Sequence, residues 1–184
     1  VTGVEDLNGN MIQGNNIASL LIPSGTTPHT IAIDGTKDFD DDTELMASDD
    51  YNLYITWDND KLYIGFESLD LNGGGDLFVN IDTDQVNNSG GSSGSWGRVS
   101  YVSQFEADYQ VAIEGGGGSI QLNHFANGQW HYPANNNCES YEGWAQNGLT
   151  EISIPWASMG NPDGVALSVH VSEEDTQVIT AAYP

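Results

Sequence analysis

Apolar and polar residues alternate along most of this 184-residue chain, and that period of two is the strongest constraint on its fold. The clearest case is a strand over 53–57, a turn at Asp58-Asn59-Asp60 and a return strand over 62–66, with an apolar residue at every second position. No segment of about eleven residues carries the 3.6-residue period of an amphipathic helix. We therefore expect an all-β protein built from antiparallel hairpins.

Eight further segments show the same pattern and bring the prediction to about ten strands. They are 76–84, 98–102, 107–114, 120–125, 129–132, 149–154, 165–171 and 177–181. Short strands separated by turn residues predict a two-sheet antiparallel β-sandwich of jelly-roll or immunoglobulin-like type. The sandwich is expected over 31–184, with 1–30 as an N-terminal linker or edge strand. Two segments rich in Gly, Ser and Asn, 85–97 and 135–148, are predicted as loops, the first of them flexible.

The charge balance excludes several classes of partner. Three basic residues against 27 acidic ones give a net charge of −24. Nucleic acid and anionic membranes need a basic surface that this chain cannot assemble. No apolar run approaches the roughly 20 residues that span a bilayer, so we expect a soluble protein. The acidic, Asn- and Gly-rich composition favours a secreted, extracellular module, and the acid excess is typical of a marine or salt-adapted source.

Acidic residues at one strand end predict a metal site. Asp82 and Asp84 flank a single residue after a buried strand, and Asp108 begins the next strand region. Calcium takes six to eight oxygen ligands in flexible geometry, so we expect structural Ca²⁺ here; the alternative is a solvated acidic loop. The run that includes Asp38 and Asp40 is a second candidate, for which a solvated charged turn is the alternative. The only cysteine, Cys138, cannot form an internal disulfide.

Aromatic residues in loops predict a sugar-binding surface. The faces of pyranose rings stack on aromatic rings, while amides and carboxylates bind the hydroxyls. Trp96 and Trp144 lie among Gly, Ser and Asn residues, where large rings have few apolar neighbours. Two further carbohydrate-binding candidates are Tyr141 and Trp130, although Trp130 could instead pack across the hairpin that turns at Asn127-Gly128.

Trp57 shares the apolar face of Leu53 and Ile55, and Trp156 follows a proline after an alternating strand, so both are predicted to belong to the core. Three segments in order, 31–39, 54–64 and 151–156, resemble family 9-like carbohydrate-binding modules and the wider DOMON-like β-sandwiches. Residues 80–84 and 106–111 are similar to the strand, acidic loop and strand of bacterial relatives attached to polysaccharide-degrading enzymes. The resemblance covers about residues 30–172 and implies a two-sheet sandwich, structural calcium and sugar held by aromatic side chains.

We therefore expect a non-catalytic carbohydrate-binding module, stabilised by Ca²⁺, that tethers a secreted glycoside hydrolase or lyase in the same parent chain to polysaccharide. The alternative is a calcium-dependent structural or adhesive β-sandwich of a bacterial surface protein. No nucleophile elbow, phosphate-binding loop or zinc motif is present, and no pair of acids is singled out for glycoside hydrolysis. The sequence therefore does not predict an enzyme.

Overall fold

The computed structural model describes residues 22–23, 29–48, 51–67, 71, 75–84, 86, 89–97, 106–115, 119–132, 137–143, 148–173 and 178–183. Over these residues the chain forms twelve strands and one short 3-10 helix, Trp156–Met159. The strands are β1 (Ile22–Pro23), β2 (Leu45–Ser48), β3 (Asn52–Trp57), β4 (Lys61–Glu67), β5 (Asp76–Asp82), β6 (Tyr109–Glu114), β7 (Ser119–Ala126), β8 (Gln129–His131), β9 (Glu139–Tyr141), β10 (Leu149–Pro155), β11 (Gly164–Ser172) and β12 (Ile179–Tyr183).

These strands form two antiparallel sheets, which confirms the predicted β-sandwich. The larger sheet has seven strands in the order β1-β11-β5-β6-β7-β8, with β12 also paired to β11. The smaller sheet has five strands in the order β2-β3-β4-β10-β9. Strand β1 falls within the segment expected to be a linker or an edge strand and pairs with β11. The strand predicted over 98–102 lies outside the described residues.

The core between the sheets consists of the alternate aliphatic and aromatic residues that the sequence pattern identified. Leu77, Val79 and Ile81 of the larger sheet belong to one buried cluster with Ile64 and Ile152 of the smaller sheet. Each such side chain, fully removed from water, contributes about 1.5–3 kcal/mol. The two tryptophans at 57 and 156 pack against this cluster and are partly buried.

The outer face of the five-stranded sheet is also covered, in this case by the segment 29–44. Phe39 stacks on Tyr54 with ring centroids 5.5 Å apart and lies directly over Gly65, which leaves no room for a side chain there. Buried Glu151 of β10 accepts hydrogen bonds from the backbone N–H groups of Asp34 and Gly35, at 3.0 and 2.7 Å. The segment is therefore fixed to the sheet by both apolar packing and hydrogen bonds.

Candidate metal centre and aromatic surface

Three aspartates meet where β5 ends and β6 begins. Asp82 is the last residue of β5, Asp84 follows two residues later, and Asp108 directly precedes β6. Each offers a carboxylate oxygen, and these oxygens lie within 4.8 Å of one another. Because carboxylates this close repel each other unless a proton or cation compensates them, this acidic triad could hold a metal ion. The sequence predicted these three residues together.

Neighbouring hydrogen bonds orient the carboxylates of the triad. The backbone N–H and the hydroxyl of Thr83 both donate to Oδ2 of Asp108, at 2.8 and 2.7 Å. The backbone N–H of Asp84 donates to Oδ1 of Asp82 at 3.1 Å. Such donors fix the rotamers of carboxylates in the same way that outer-sphere partners orient metal ligands.

The loop that follows β5 is fastened to the triad at its base. Asp84 Oδ1 accepts hydrogen bonds from the backbone N–H of Val86 and from the Ser89 hydroxyl, at 2.8 and 3.0 Å. Gly91 then pairs with Ala107 through two backbone hydrogen bonds of 2.8 and 3.0 Å. An ion bound at the triad would therefore stabilise the start of this loop as well as the strand ends.

The remainder of the loop packs on the outer face of the seven-stranded sheet. Ser168, Asn80, Gln110 and Asn123 occupy one register row across β11, β5, β6 and β7. Gln110 accepts a hydrogen bond from the backbone N–H of Ser95 at 2.7 Å, and Asn123 Nδ2 donates to the Ser95 hydroxyl, also at 2.7 Å. Residues 89–97 are therefore a loop, as predicted, but one that packs against the sheet, because side-chain amides from two strands bind the backbone and the hydroxyl of Ser95.

Three aromatic side chains gather around this loop. Trp96 lies edge-on to buried Phe78, with ring centroids 5.7 Å apart, and its backbone N–H donates to the Tyr132 hydroxyl at 3.4 Å. Trp130 packs against Phe125 of the neighbouring strand and donates from Nε1 to the Ser93 carbonyl at 2.7 Å. Tyr132 is 55% exposed, whereas both tryptophans are partly buried.

We call Trp96, Trp130 and Tyr132 the aromatic surface. Trp96 has a φ of 57°, a left-handed conformation that costs energy for any residue with a side chain. Its ring contact and the hydrogen bond from Nε1 to Gln121, at 3.0 Å, hold it there. The structure brings together two of the four predicted sugar-binding residues and adds Tyr132, which the sequence prediction missed.

The remaining candidates lie elsewhere or outside the described residues. Tyr141 is on β9 at the edge of the five-stranded sheet, where its ring lies against Gly35. Trp144 lies outside the described residues. Tyr141 is 41% exposed but belongs to a different sheet from the aromatic surface.

Asp38 and Asp40 do not join the acidic triad. Asp38 Oδ2 accepts a hydrogen bond from the backbone N–H of Ala32 at 3.3 Å. Asp40 Oδ1 accepts from the hydroxyl and the backbone N–H of Thr43, at 3.1 and 2.9 Å. The hydrogen bond from the Thr43 hydroxyl contributes most to lowering the pKa of Asp40. Among the described residues, neither aspartate takes part in a cluster with the triad's geometry.

The lone cysteine is not poised for nucleophilic chemistry. Burial raises the pKa of the Cys138 thiol to about 12, so the reactive thiolate is not formed near neutral pH. This thiol packs against the core cluster beside β9. Cys138 therefore acts as a small apolar side chain.

No protein-family model, curated protein or solved structure matches the chain. Within the ranges that the structure describes, no helix is both long enough and apolar enough to cross a bilayer.

Proposed function

We propose that this protein is a non-catalytic carbohydrate-binding module whose binding loop is stabilised by Ca²⁺. One observation carries the proposal: the loop that carries Trp96, and whose Ser93 carbonyl accepts a hydrogen bond from Trp130, is hydrogen-bonded at its base to the acidic triad. Metal binding and ligand binding would thus depend on the same short segment. The order of segments that resembles family 9-like and DOMON-like modules supports the same conclusion.

The aromatic surface supplies groups that suit a neutral glycan. The exposed ring of Tyr132 offers an apolar face for the C–H groups of a pyranose, and its hydroxyl provides a hydrogen-bonding group beside that face. Trp96 and Trp130 flank it and are held in place by hydrogen bonds from their indole nitrogens. Fixed aromatic rings lose little conformational entropy on binding, which favours even a shallow contact.

Calcium is the ion that the triad suits best. The three side chains offer only oxygen ligands, which hard cations prefer, and backbone carbonyls or water can complete a coordination number of six to eight. Magnesium requires near-ideal octahedral geometry and gives up its water reluctantly. A divalent cation would also offset part of the net charge of −24 at a place where three carboxylates converge.

In the parent protein, such a module would tether a secreted bacterial glycoside hydrolase or lyase to polysaccharide outside the cell. A calcium-dependent structural or adhesive domain of a surface protein is the second candidate. Partial burial of Trp96 and Trp130 favours this alternative, because both rings already pack against sheet residues. Glycan binding therefore separates the two functions, whereas calcium binding is common to both.

Calcium at ten times its Kd is expected to stabilise the folded protein by about 1.4 kcal/mol, or about 3–6 °C in Tm. Asp82→Asn and Asp84→Asn should each abolish this increase, because each removes a carboxylate from the triad. Asp42→Asn is the matched control, since it removes an exposed acid outside the triad. Thermal unfolding monitored by circular dichroism, in calcium, magnesium or chelator at equal ionic strength, measures the effect. Equal Tm values in calcium and magnesium would exclude a calcium-specific site.

Tyr132→Ala is expected to weaken glycan binding by about 1 kcal/mol, roughly fivefold, with little change in Tm. The exposed ring contributes a stacking face but little packing. Tyr141→Ala is the matched control, because it removes another exposed tyrosine on the other sheet and should leave affinity unchanged. Affinity electrophoresis on α- and β-glucans, xylan, galactans and alginate, with oligosaccharide titrations, measures binding.

Binding to the uncharged polysaccharides of this panel should also change little with salt, because neutral sugars carry no charge to screen. If none of the polysaccharides binds, the adhesive or structural function is favoured. If a polysaccharide binds equally well to the parent and to Tyr132→Ala, the binding surface lies elsewhere.

A further inference from the structure

Two histidines face each other across the β7–β8 hairpin. His124 and His131 are directly opposed in the strand register, and their ring centroids are 5.9 Å apart with an interplanar angle of 33°. His124 is exposed and His131 is partly buried. Both imidazoles are thus on the same face of the hairpin and within reach of a single ion.

The hydrogen bond of His131 determines which of its nitrogens is available. Its Nε2 lies 3.0 Å from the carbonyl oxygen of Ala126. A carbonyl can only accept, so Nε2 carries the proton in the neutral ring and Nδ1 keeps its lone pair. Metal-binding histidines use this arrangement, in which the second ring nitrogen donates to a backbone carbonyl and fixes the ring orientation.

A third ring supports His124 from the neighbouring strand. Tyr109 of β6 is opposite His124 in the register, with ring centroids 5.4 Å apart and an interplanar angle of 31°. Burial raises the pKa of the Tyr109 hydroxyl, so the phenol stays protonated at neutral pH. Tyr109 therefore restricts the orientation of the His124 ring without adding a charged ligand.

We propose that His124 and His131 form a binding site for a late first-row divalent transition metal, with Cu²⁺ bound most tightly. Imidazole nitrogens coordinate such ions at about 2.0–2.1 Å, which places two ring centroids about 5–6 Å apart on one ion. For nitrogen ligands, affinity rises along the series to Cu²⁺ and falls at Zn²⁺. Water would occupy the remaining positions on the exposed side.

This site is independent of the acidic triad and of the proposed glycan binding. Hard oxygen ligands favour calcium at the triad, whereas imidazole favours softer transition metals. An ion between His124 and His131 would crosslink β7 to β8 beside Trp130, which belongs to the aromatic surface. The metal would thus reinforce an edge strand of only three residues.

The direct test is Cu²⁺ binding by the full chain in the presence of calcium, which keeps the triad occupied. Electron paramagnetic resonance of the Cu²⁺-loaded protein should show coupling to two imidazole nitrogens, and isothermal titration should show one saturable site. His124→Gln and His131→Gln should each lower Cu²⁺ affinity at least tenfold. His29→Gln is the matched control: His29 lies outside the hairpin and pairs with Glu44 at 3.0 Å.

The outcomes separate this site from other metal binding. Loss of the two-nitrogen signal in both hairpin variants, with retention in His29→Gln, supports the proposal. Unchanged Cu²⁺ affinity in the hairpin variants overturns the proposal. Cu²⁺ binding that persists in those variants and is lost when Asp82 and Asp84 are both replaced by Asn also overturns it. If a variant fails to fold, the parent protein alone still tests the proposal. An electron paramagnetic resonance spectrum of the Cu²⁺-loaded parent without coupling to imidazole nitrogens also overturns it.

Discussion

Phe66→Ala is expected to lower the free energy of unfolding by about 3–5 kcal/mol. Phe66 lies on β4, is fully buried, and belongs to the cluster that joins the two sheets. Its replacement by alanine removes apolar surface from the core and leaves a cavity that the surrounding strands fill only partly. Urea unfolding followed by tryptophan fluorescence, at fixed calcium and salt concentrations, measures this loss.

Met46→Ala provides the control for that experiment. Met46 is on the short strand β2 and is 38% exposed, so its truncation should change stability by no more than about 0.5 kcal/mol. Similar losses in the two variants would contradict the position of Phe66 in the main core. A loss of 3 kcal/mol or more for Phe66→Ala alone would agree with it.

The strands that were predicted correctly have strict alternation and clear turn signals. The hairpin over 52–67 is one, because every second residue enters the core and Asp58 accepts backbone hydrogen bonds that close the turn. The sequence analysis did not predict strands β2 and β9. They have four and three residues, too few to show an alternation of apolar and polar side chains. Their formation depends on pairing with β3 and β10 rather than on their own sequence.

Burial of both faces of each sheet could not be predicted from alternation alone. The polar face of β5 carries Asp76, Asn80 and Asp82, and alternation predicts that this face is exposed to solvent. In the structure every residue of β5 is buried. Part of the cover comes from the loop around Ser95, whose partners Gln110 and Asn123 are on other strands. Such contacts depend on tertiary structure and leave no local signal.

The acidic triad was predictable because β5 and β6 are antiparallel neighbours, so the end of one lies beside the start of the next. The opposed histidines could also have been found from the sequence. A tight turn at Asn127-Gly128 sets the register of β7 and β8 and places His124 opposite His131. The aromatic surface was not predictable as a group, because it requires the loop to fold back over the sheet.

Lowering the pH from 7.5 to 5 is expected to cost this protein about 2 kcal/mol of stability through His170 alone. His170 on β11 is 4% exposed and stacks on Phe78 of β5, with ring centroids 4.9 Å apart. Its Nδ1 lies 3.2 Å from Asn80 Nδ2, an amide nitrogen that can only donate, so Nδ1 must accept. A protonated ring has no lone pair for this bond. Burial lowers the pKa of His170 to about 4.

The sign of the effect follows from proton binding in the two states. The unfolded chain protonates His170 near pH 6.5, whereas the folded protein does so only near pH 4. Stability from this residue is therefore complete above pH 6.5 and is lost as the pH falls toward 4. Glu151 acts in the opposite direction, because burial raises its pKa and protonation favours the folded state as the pH falls. Hydrogen-bonded carboxylates such as Glu67, whose pKa is lowered, lose their contribution mainly below about pH 4.5.

His170→Gln isolates the contribution of this histidine, because the variant keeps the other titrating groups. Urea unfolding at pH 7.5, 6, 5 and 4.5 should give a smaller decrease in the free energy of unfolding for the variant than for the parent. The difference should grow to about 2 kcal/mol at pH 5. If the parent and His170→Gln show the same pH dependence, the histidine is not buried in the neutral form, and the hydrogen bond to Asn80 does not determine its charge.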